Sequence, residues 1–287
     1  MKLIVDSGAT KTQWTVLSGH EVVRTLFTPG INPYYMDSEQ IDLLLQKHLD
    51  QPMRALPIHR VFYFGTGCST AQNCQLISDI LSRYFKKASV SMHHDLTGAA
   101  VALFHNEQGI ACILGTGSNS CLWDGHSIVE NVPSLGYLLG DEGSGTYLGK
   151  LMLKSFLSGE ADKNLTEAFY RFAALDFTGI LHKVYKDPQA NRWIAGLSKF
   201  AGQHIHEPFI EKLVKQNFQD FIDWQVTKYT NHQHLEISFV GSVAYHFQQQ
   251  LKEVLSTNRL NFGKVLQAPM EGLIEFYKQP ENESSNR

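Results

Sequence analysis

The sequence predicts an α/β protein made of two related domains. Strands alternate with helices over the first third of the chain, and this alternation is typical of the α/β class. A strand–turn–strand–turn–strand pattern at residues 3–27 returns at residues 110–130. Hydrophobic residues make up 43% of the chain and charged residues 18%, which favours well-buried cores over disorder. The repeat predicts two copies of one unit that face each other across a cleft.

Hydrophobic periodicity and turn residues predict the elements of the first domain. Asp37 is followed three residues later by Gln40, which is a capping-box pattern, and apolar residues then fall on one helix face. The predicted strands cover residues 2–5, 13–17, 21–27, 61–64 and 90–92, and the predicted helices cover residues 37–51, 71–85 and 96–104.

The second domain is predicted to begin where the pattern restarts, so that the domains cover residues 1–107 and 108–287. Asp124-Gly125 is a strong turn signal within this second copy. The C-terminal helix, at about 270–279, is expected to pack back on the first domain, and the polar tail from Pro280 is expected to be disordered. Predicted strands cover 110–114, 121–123, 126–130, 236–240 and 265–266, and predicted helices start at Pro208 and cover 243–255 and 271–278.

Charge and composition exclude several classes of function. The net charge of −3 offers no basic excess for nucleic acid or anionic lipid. The N-terminal apolar run is too short for a signal peptide, and no stretch approaches the ~18 apolar residues of a membrane span. The four cysteines form no Cys-x-x-Cys pair, and no His-Glu-x-x-His occurs. We therefore expect a reduced, cytoplasmic protein without a nucleic-acid or membrane partner.

The turn after the first strand carries residues suited to binding phosphate. Asp6 ends the strand, and Gly8 allows a sharp turn and the close approach of a ligand. Backbone N–H groups and the hydroxyls of Thr10 and Thr12 can cradle phosphate oxygens, and Lys11 adds a positive charge. Asp6 can hold Mg²⁺ directly or through water. An ordinary hairpin with polar turn residues explains the same stretch equally well.

A second polar turn follows the strand at 110–114. It reads Gly115-Thr116-Gly117-Ser118-Asn119-Ser120, which matches neither the Walker A pattern nor Gly-x-Gly-x-x-Gly. Taken alone this turn is a weak signal. As the repeat of the first turn, it predicts phosphate held from both domains.

Asp95 lies between a predicted strand and a helix of small residues. Phosphoryl transfer to an alcohol benefits from a carboxylate that accepts the hydroxyl proton, so Asp95 is a candidate general base. Capping of the helix is the simpler reading when this residue is taken alone.

Two further glycine-rich stretches can contact small ligands. Residues 136–145 hold three glycines around Asp141 and Glu142, whose carboxylates can accept hydrogen bonds from sugar hydroxyls; the alternative is a connection whose acids favour the start of the next helix. Gly241-Ser242 ends a buried strand, where glycine lets a flat ligand approach the backbone, although an ordinary helix start explains it as well.

Taken in order, these stretches resemble the superfamily of sugar kinases, actin and heat-shock chaperones. More closely, they resemble the BadF/BadG/BcrA/BcrD ATPase family, which includes N-acetylglucosamine kinases. Residues 6–12 and 113–120 match the two phosphate motifs, GDEGSG at 140–145 is the most specific match, FVGSVA at 239–244 matches the adenosine motif, and 267–276, with Gly272, resembles the closing helix.

The resemblance implies two ribonuclease-H-like (actin-like ATPase) domains around a central cleft. It also implies ATP and Mg²⁺ as cofactors, a small amino sugar such as N-acetylglucosamine as substrate, and a possible homodimer. Asp95 would be the catalytic base, and Gly241 and Ser242 would line the adenosine pocket. Around the phosphates and Mg²⁺ it places Asp6, Thr10, Lys11, Thr12, Thr116, Gly117 and Ser118, and around the sugar it places Asn32, Asn119 and Asp141.

The chain departs from the family at two places. Ser7-Gly8-Ala9 has less glycine than the usual first loop, which is a mild change. Ser134-Leu135-Gly136 stands where N-acetylglucosamine kinases tend to carry Gly-Trp-Gly, so the sugar stays open and a glucosamine kinase is an alternative. A regulatory ATPase that activates a partner enzyme and a sugar sensor without catalysis are further alternatives. The presence of Asp95 and both phosphate turns, and the absence of an added nucleic-acid-binding segment, count against the sensor.

Overall fold

The computed structural model describes residues 1–8, 10–49, 51–68 and 70–279, so the predicted disordered tail lies outside the described residues. The chain forms two compact units. The first unit comprises Met1–Glu107, Asp124–Ile128 and the residues from Pro269 onward. The second unit comprises Gln108–Trp123 and Val129–Ala268.

The strands form two five-stranded sheets, one in each unit. In the first sheet the order is β3-β2-β1-β4-β5, and in the second it is β10-β9-β6-β7-β8. The strands are β1 (Lys2–Ser7), β2 (Lys11–Ser18), β3 (Glu21–Pro29), β4 (Arg60–Gly65), β5 (Ser89–His94), β6 (Gly109–Leu114), β7 (Ser118–Trp123), β8 (Ile128–Glu130), β9 (Glu236–Val240) and β10 (Asn261–Leu266).

Helices complete both units and are most numerous in the second, which also has a 3₁₀ turn at Val226–Lys228. The helices are α1 (Ser38–His48), α2 (Gln51–Ala55), α3 (Ala71–Tyr84), α4 (Asp95–Phe104), α5 (Gly136–Leu139), α6 (Gly145–Leu157), α7 (Lys163–Ala173), α8 (Phe177–Lys186), α9 (Ala190–Gly196), α10 (Ser198–Gln203), α11 (Pro208–Trp224), α12 (Ser242–His246), α13 (Gln248–Thr257) and α14 (Met270–Lys278).

The central strands of the two sheets have the same neighbours in the same directions. In the first sheet, β1 pairs antiparallel with β2 and parallel with β4. In the second sheet, β6 pairs antiparallel with β7 and parallel with β9. The polar turns predicted to bind phosphate therefore occupy equivalent places, each in the hairpin after the central strand. These two sheets confirm the predicted mixed α/β fold class.

The first helix shows which local predictions hold and where they end. The capping box is confirmed, because the Asp37 side chain accepts from Gln40 N at 2.8 Å and Gln40 Oε1 accepts from Asp37 N at 3.0 Å. The predicted helix at 37–51 is nevertheless too long. Leu49 has extended backbone angles (φ −85°, ψ 99°), so α1 ends at His48 and the short α2 follows.

The second unit buries a large aromatic core, in which the rings of Phe156 and Phe169 stack with centroids 4.2 Å apart. Here the predicted helix at 243–255 is split in two. Phe247 leaves helical geometry (φ −114°, ψ 28°) and separates α12 from α13. Among the described residues of both units, no helix is long and apolar enough to cross a membrane.

Candidate functional site

The first polar turn closes tightly between β1 and β2. Ser7 pairs with Thr12 across the strands, and Gly8 N donates to Lys11 O at 3.0 Å. The Thr12 hydroxyl is fully buried and lies 2.8 Å from Ser7 Oγ, so it supports the turn from inside. Gly8 does not have a positive φ, and an added Cβ would meet only Lys11 O at 3.6 Å. The tight turn therefore does not depend on a backbone conformation at Gly8 that only glycine can adopt.

Thr10 and Lys11 are the exposed residues at the tip of the first turn. The Lys11 ammonium lies 4.3 Å from the ring centroid of Phe27 on β3, which is a cation–π distance. Phe27, itself half-exposed, therefore restrains a charge expected to face phosphate. Sequence reasoning missed this contact because it depends on the register of β2 against β3.

Asp6 and Asp95 lie at the same edge of the first sheet. In the parallel register Ser7 stands opposite Gly65 and Gly65 stands opposite His94, so the carboxyl ends of β1, β4 and β5 are level. Burial, together with the negative charge of Asp95, raises the pKa of Asp6 to about 7, and Lys11 opposes this shift. The ionised form of a buried carboxyl group next to a second negative charge is stabilised when a cation binds to it. An oxygen donor of this kind fits Mg²⁺, which typically binds one or two carboxylates together with substrate phosphates.

Asp95 is the first residue of α4, and His94 is its N-cap. The capping reading of Asp95 is therefore wrong, because the acceptor for Leu96 N is His94 Nδ1 at 3.2 Å. The same nitrogen lies 2.8 Å from Asp95 Oδ1. One nitrogen cannot accept and donate at once, so Nδ1 caps the helix when it lacks a proton and bonds the carboxylate when it carries one. Burial lowers the pKa of His94, but the hydrogen bond and charge of Asp95 outweigh it and raise the pKa overall.

Asn32 lies in the loop after β3, and its side chain bonds the backbone two residues further along the chain. Its Oδ1 accepts from Tyr34 N at 3.0 Å, which leaves the Nδ2 group to face a ligand. Gly67, with φ +80°, packs against this turn, and a Cβ there would lie 2.7 Å from Asn32 Oδ1. The Gly65–Gly67 loop after β4 thus shapes the position predicted to contact sugar.

The second polar turn is tied to the start of α6. Gly145 N donates to Gly115 O at 2.8 Å, and Thr146 N donates to Thr116 O at 3.1 Å. The Thr146 hydroxyl also donates to Thr116 O, at 2.5 Å. Because the carbonyls of Gly115 and Thr116 are held in this way, the turn that leads through Thr116 and Gly117 to Ser118 is fixed before any ligand arrives.

Asn119 follows the second turn on β7. Its Oδ1 accepts from Ser120 N at 2.9 Å and from Asn131 Nδ2 at 3.2 Å. As with Asn32, the oxygen is engaged by the protein, so the side chain can serve a ligand mainly as a hydrogen-bond donor.

The GDEGSG stretch brings Asp141 to the second turn. Asp141 is almost fully buried, although its backbone is left-handed (φ 62°), a conformation uncommon for residues other than glycine. Its Oδ2 lies 3.0 Å from the position of a Cβ on Gly117. Glu142 is partly exposed and directed differently, with Oε2 3.5 Å from the position of a Cβ on Gly140. Of the two acids, Asp141 is the one placed against the candidate phosphate turn.

Two side chains that sequence reasoning missed hold this stretch in place. Asn217 on α11 is fully buried and accepts from Gly143 N at 3.0 Å through its Oδ1. Lys150 on α6 donates to Tyr137 O at 2.5 Å and to Gly140 O at 3.3 Å. A polar residue on the apolar face of α11 was the available signal for Asn217, because buried amides need partners.

Gly241 and Ser242 leave the second sheet beside the second turn. Val240 stands opposite Ile113 in the parallel register, so Gly241 lies next to Leu114. Its backbone (φ 127°, ψ 158°) is open essentially only to glycine, and a Cβ would lie 2.3 Å from Leu114 O. Ser242 begins α12 and is exposed. In the first unit, Gly272 on α14 packs equally closely on α4, where a Cβ would lie 2.2 Å from Ala102 O.

Comparison with known proteins places the chain among sugar kinases. No family model matches the chain, and no curated protein matches it. A solved structure of a candidate N-acetylglucosamine kinase from Porphyromonas gingivalis is 40% identical, with 98% of this chain and 100% of that chain covered and a TM-score of 0.93. The chain belongs to this family of sugar kinases.

Two more distant structures share the fold of the family. A candidate N-acetylglucosamine kinase from Chromobacterium violaceum is 18% identical over 97% of this chain and 98% of that chain, with a TM-score of 0.72. A ROK family glucokinase from Streptomyces griseus, in complex with glucose and AMPPNP, is 12% identical over 96% and 97% of the two chains, with a TM-score of 0.60. The predicted two-domain actin-like ATPase fold is thereby confirmed.

The raised pKa of Asp6 should make the free energy of unfolding of the metal-free protein depend on pH. Between about pH 4 and pH 7 the unfolded chain loses the Asp6 proton while the folded protein keeps it, so stability falls as pH rises through that window. Three pKa units correspond to roughly 4 kcal/mol at most, and we expect roughly 2 kcal/mol because the side chain keeps some solvent contact. Asp6→Asn should therefore unfold at a higher temperature than wild type at pH 8 in EDTA.

The control for this prediction is pH itself. At about pH 3 the Asp6 carboxyl is protonated in the folded protein and largely so when unfolded, so the thermal midpoints of Asp6→Asn and wild type should nearly coincide. An equal difference between the two midpoints at both pH values would contradict the assigned ionisation.

Proposed function

We propose that the protein is an ATP-dependent kinase that transfers the γ-phosphoryl group to a hydroxyl of a small amino sugar, with N-acetylglucosamine first among the candidates. The main support for this proposal is that Asp6 and Asp95 lie at the same edge of the first sheet, at the carboxyl ends of β1 and β5 and beside the first polar turn. Two carboxylates with different surroundings suit the two tasks of this chemistry, which are holding a metal ion and accepting a proton.

Asp95 acts as the general base in this proposal. Its Oδ1 is held by His94 when Nδ1 is protonated, which leaves Oδ2 to accept the proton of the substrate hydroxyl. A positioned base of this kind typically contributes about 10²–10⁴-fold to the rate. Asp6 would supply an oxygen ligand for Mg²⁺, which would neutralise charge on the phosphates. Thr10 and Lys11 contact phosphate oxygens from the exposed tip of the turn, while Gly8 and the buried Thr12 shape that turn.

The second unit contributes a prearranged polar surface. The turn at Thr116, Gly117 and Ser118 offers hydroxyls and backbone N–H groups to phosphate, and its fixed carbonyls reduce the reorganisation that binding requires. Gly241 and Ser242 line the adenosine pocket, and the close packing of Gly241 on Leu114 O fixes their position.

Amide donors and carboxylate acceptors together suit a polyhydroxylated ligand. Asn32 and Asn119 offer Nδ2 donors to sugar oxygens, because their Oδ1 atoms are already engaged. Asp141 and Glu142 accept hydrogen bonds from sugar hydroxyls.

The sequence motifs and the similar structures support the finer assignments. GDEGSG and FVGSVA favour membership of the BadF/BadG/BcrA/BcrD group within the sugar kinases. The AMPPNP in the glucokinase structure supports ATP as the phosphoryl donor. The 40% identity to a candidate N-acetylglucosamine kinase supports an amino sugar as acceptor.

Release of ADP in the presence of Mg²⁺ and ATP tests this proposal across N-acetylglucosamine, glucosamine, N-acetylmannosamine, glucose and a control without sugar. We expect release that depends on one amino sugar. Dependence on glucosamine alone would identify a glucosamine kinase and replace the first candidate. Equal release in every sample, including the control, would overturn the kinase proposal in favour of a regulatory ATPase, and no release in any sample would also count against it.

A further inference from the structure

Among the described residues, the hydrogen bonds to the Asp141 carboxylate are made to Oδ1. Ser134 Oγ donates to Oδ1 at 3.0 Å, and Ser118 N approaches the same oxygen at 3.5 Å. The other oxygen, Oδ2, packs against Gly117, 3.0 Å from the position that a Cβ would take, so the absence of a side chain at Gly117 makes room for it. Oδ1 is thus engaged by the protein, whereas no described residue donates a hydrogen bond to Oδ2.

The Ser134 hydroxyl connects Asp141 to the start of α5. Gly136 N donates to Ser134 Oγ at 3.4 Å, and Ser134 in turn donates to Asp141. Since Asp141 also has a left-handed backbone, its side-chain direction depends on contacts that hold it in an uncommon conformation. The 3.0 Å bond from Ser134 is the shorter of the two contacts to Oδ1 and therefore the stronger restraint.

We propose that Ser134 is a positioning residue for substrate binding: it holds Oδ1 of Asp141 so that Oδ2 accepts a hydrogen bond from a sugar hydroxyl. This inference rests on the proposed function of Asp141 as a sugar contact. A carboxylate with one oxygen fixed accepts a hydrogen bond from a hydroxyl in a single geometry. Ser134 therefore contributes to the affinity for the sugar and to the orientation in which the sugar binds.

The charges around Asp141 give the proposal a signature in pH. Burial raises the pKa of Asp141, while the hydrogen bonds from Ser134 and Ser118 N and the charge of Lys150 on α6 oppose the rise. Glu142, on the same stretch, also acts on Lys150. Removal of the Ser134 hydroxyl takes away the largest of the opposing contributions, so the pKa of Asp141 should rise further. The ionised carboxylate is the better hydrogen-bond acceptor. As the pH is lowered, sugar binding by the variant should therefore begin to weaken at a higher pH than sugar binding by wild type.

The test compares Ser134→Ala and Ser134→Thr with a matched control. Ser134 is exposed, so neither change disturbs the core. Ser155→Ala is the control, because Ser155 Oγ donates to the Glu160 carboxylate at 2.9 Å in the same unit and away from Asp141. For Ser134→Ala we expect KM for the sugar to rise roughly fivefold to tenfold, as for loss of a partly exposed hydrogen bond to a carboxylate, with KM for ATP unchanged. Ser134→Thr should retain most of the affinity, and Ser155→Ala should match wild type.

A titration that needs no turnover separates this inference from the proposed function. Carboxyl ¹³C resonances, with Asp141 assigned by its loss in Asp141→Asn, report the pKa of Asp141 directly. We expect an upward shift in Ser134→Ala and not in Ser155→Ala. If the pKa of Asp141 shifts but the protein shows no sugar-dependent ADP release, the contact between Ser134 and Asp141 stands and the proposed kinase function is rejected. An unshifted pKa together with an unchanged sugar KM would overturn the role of Ser134.

Discussion

Asp95→Asn is expected to lower kcat by roughly 10²–10⁴-fold, which is the usual contribution of a positioned general base. Asparagine keeps the size and the hydrogen-bonding reach of the side chain but cannot take up the hydroxyl proton. The change removes one negative charge beside Asp6, so the Asp6 carboxyl, the proposed metal ligand, ionises more easily and ATP binding should not weaken. Turnover, measured by ADP release, should therefore be nearly lost. ATP affinity, measured by calorimetry, should be retained.

A first-turn acid on another helix controls for effects on stability. Glu39 is exposed in the first turn of α1, and Glu39→Gln removes a comparable charge from a helix N-terminus. Both variants should lose at most about 1 kcal/mol of stability through the helix dipole. Only Asp95→Asn should lose turnover. Near-normal kcat in Asp95→Asn would exclude Asp95 as the base.

The position of Asp95 after β5 could be predicted from the sequence, but its relation to His94 could not. Aspartate is a preferred N-cap and histidine is not, so sequence rules assign the cap to the wrong residue. The backbone angles at residue 94 decide the matter, because the N-cap is the last residue before the helical conformation begins. A shift of one residue turns Asp95 from a structural acceptor into a side chain available for chemistry.

The second turn and its acidic partner show the same limit at longer range. The glycines and hydroxyls of residues 115–118 and the acid at position 141 are visible in the sequence. The contacts that orient Asp141 and Gly143 come from Ser134 and Asn217, which lie elsewhere along the chain. Contacts of this kind depend on how loops and helices pack, and a local pattern carries no information about them.

Helix ends and buried hydroxyls account for most of the remaining differences. Periodicity continued the predicted helices through Leu49 and Phe247, where the backbone leaves helical angles. The Thr12 hydroxyl, which alternation could not assign to a partner, is buried against Ser7.

Gly241→Ala is expected to produce the largest loss of stability among the glycine substitutions near the second turn. The backbone of Gly241 lies in a region that costs other residues about 1–3 kcal/mol. In addition, the new Cβ would lie 2.3 Å from Leu114 O and 2.6 Å from Leu114 C, and backbone atoms of a central strand cannot move aside cheaply. We expect a total loss above roughly 3 kcal/mol, seen as a fall of about 6–12 °C in the thermal midpoint.

The matched control is Gly196→Ala in the same unit. Gly196 ends α9, has no positive φ and has open space where a Cβ would go, so alanine should be neutral or slightly stabilising there. At temperatures where Gly241→Ala is still folded, ATP affinity should also fall, because the displaced Leu114 leads directly into the turn at Gly115. A Gly241→Ala protein with the midpoint and ATP affinity of wild type would mean that β9 can move away from β6 at little cost, and that the close approach at Gly241 is not what shapes the nucleotide side of this turn.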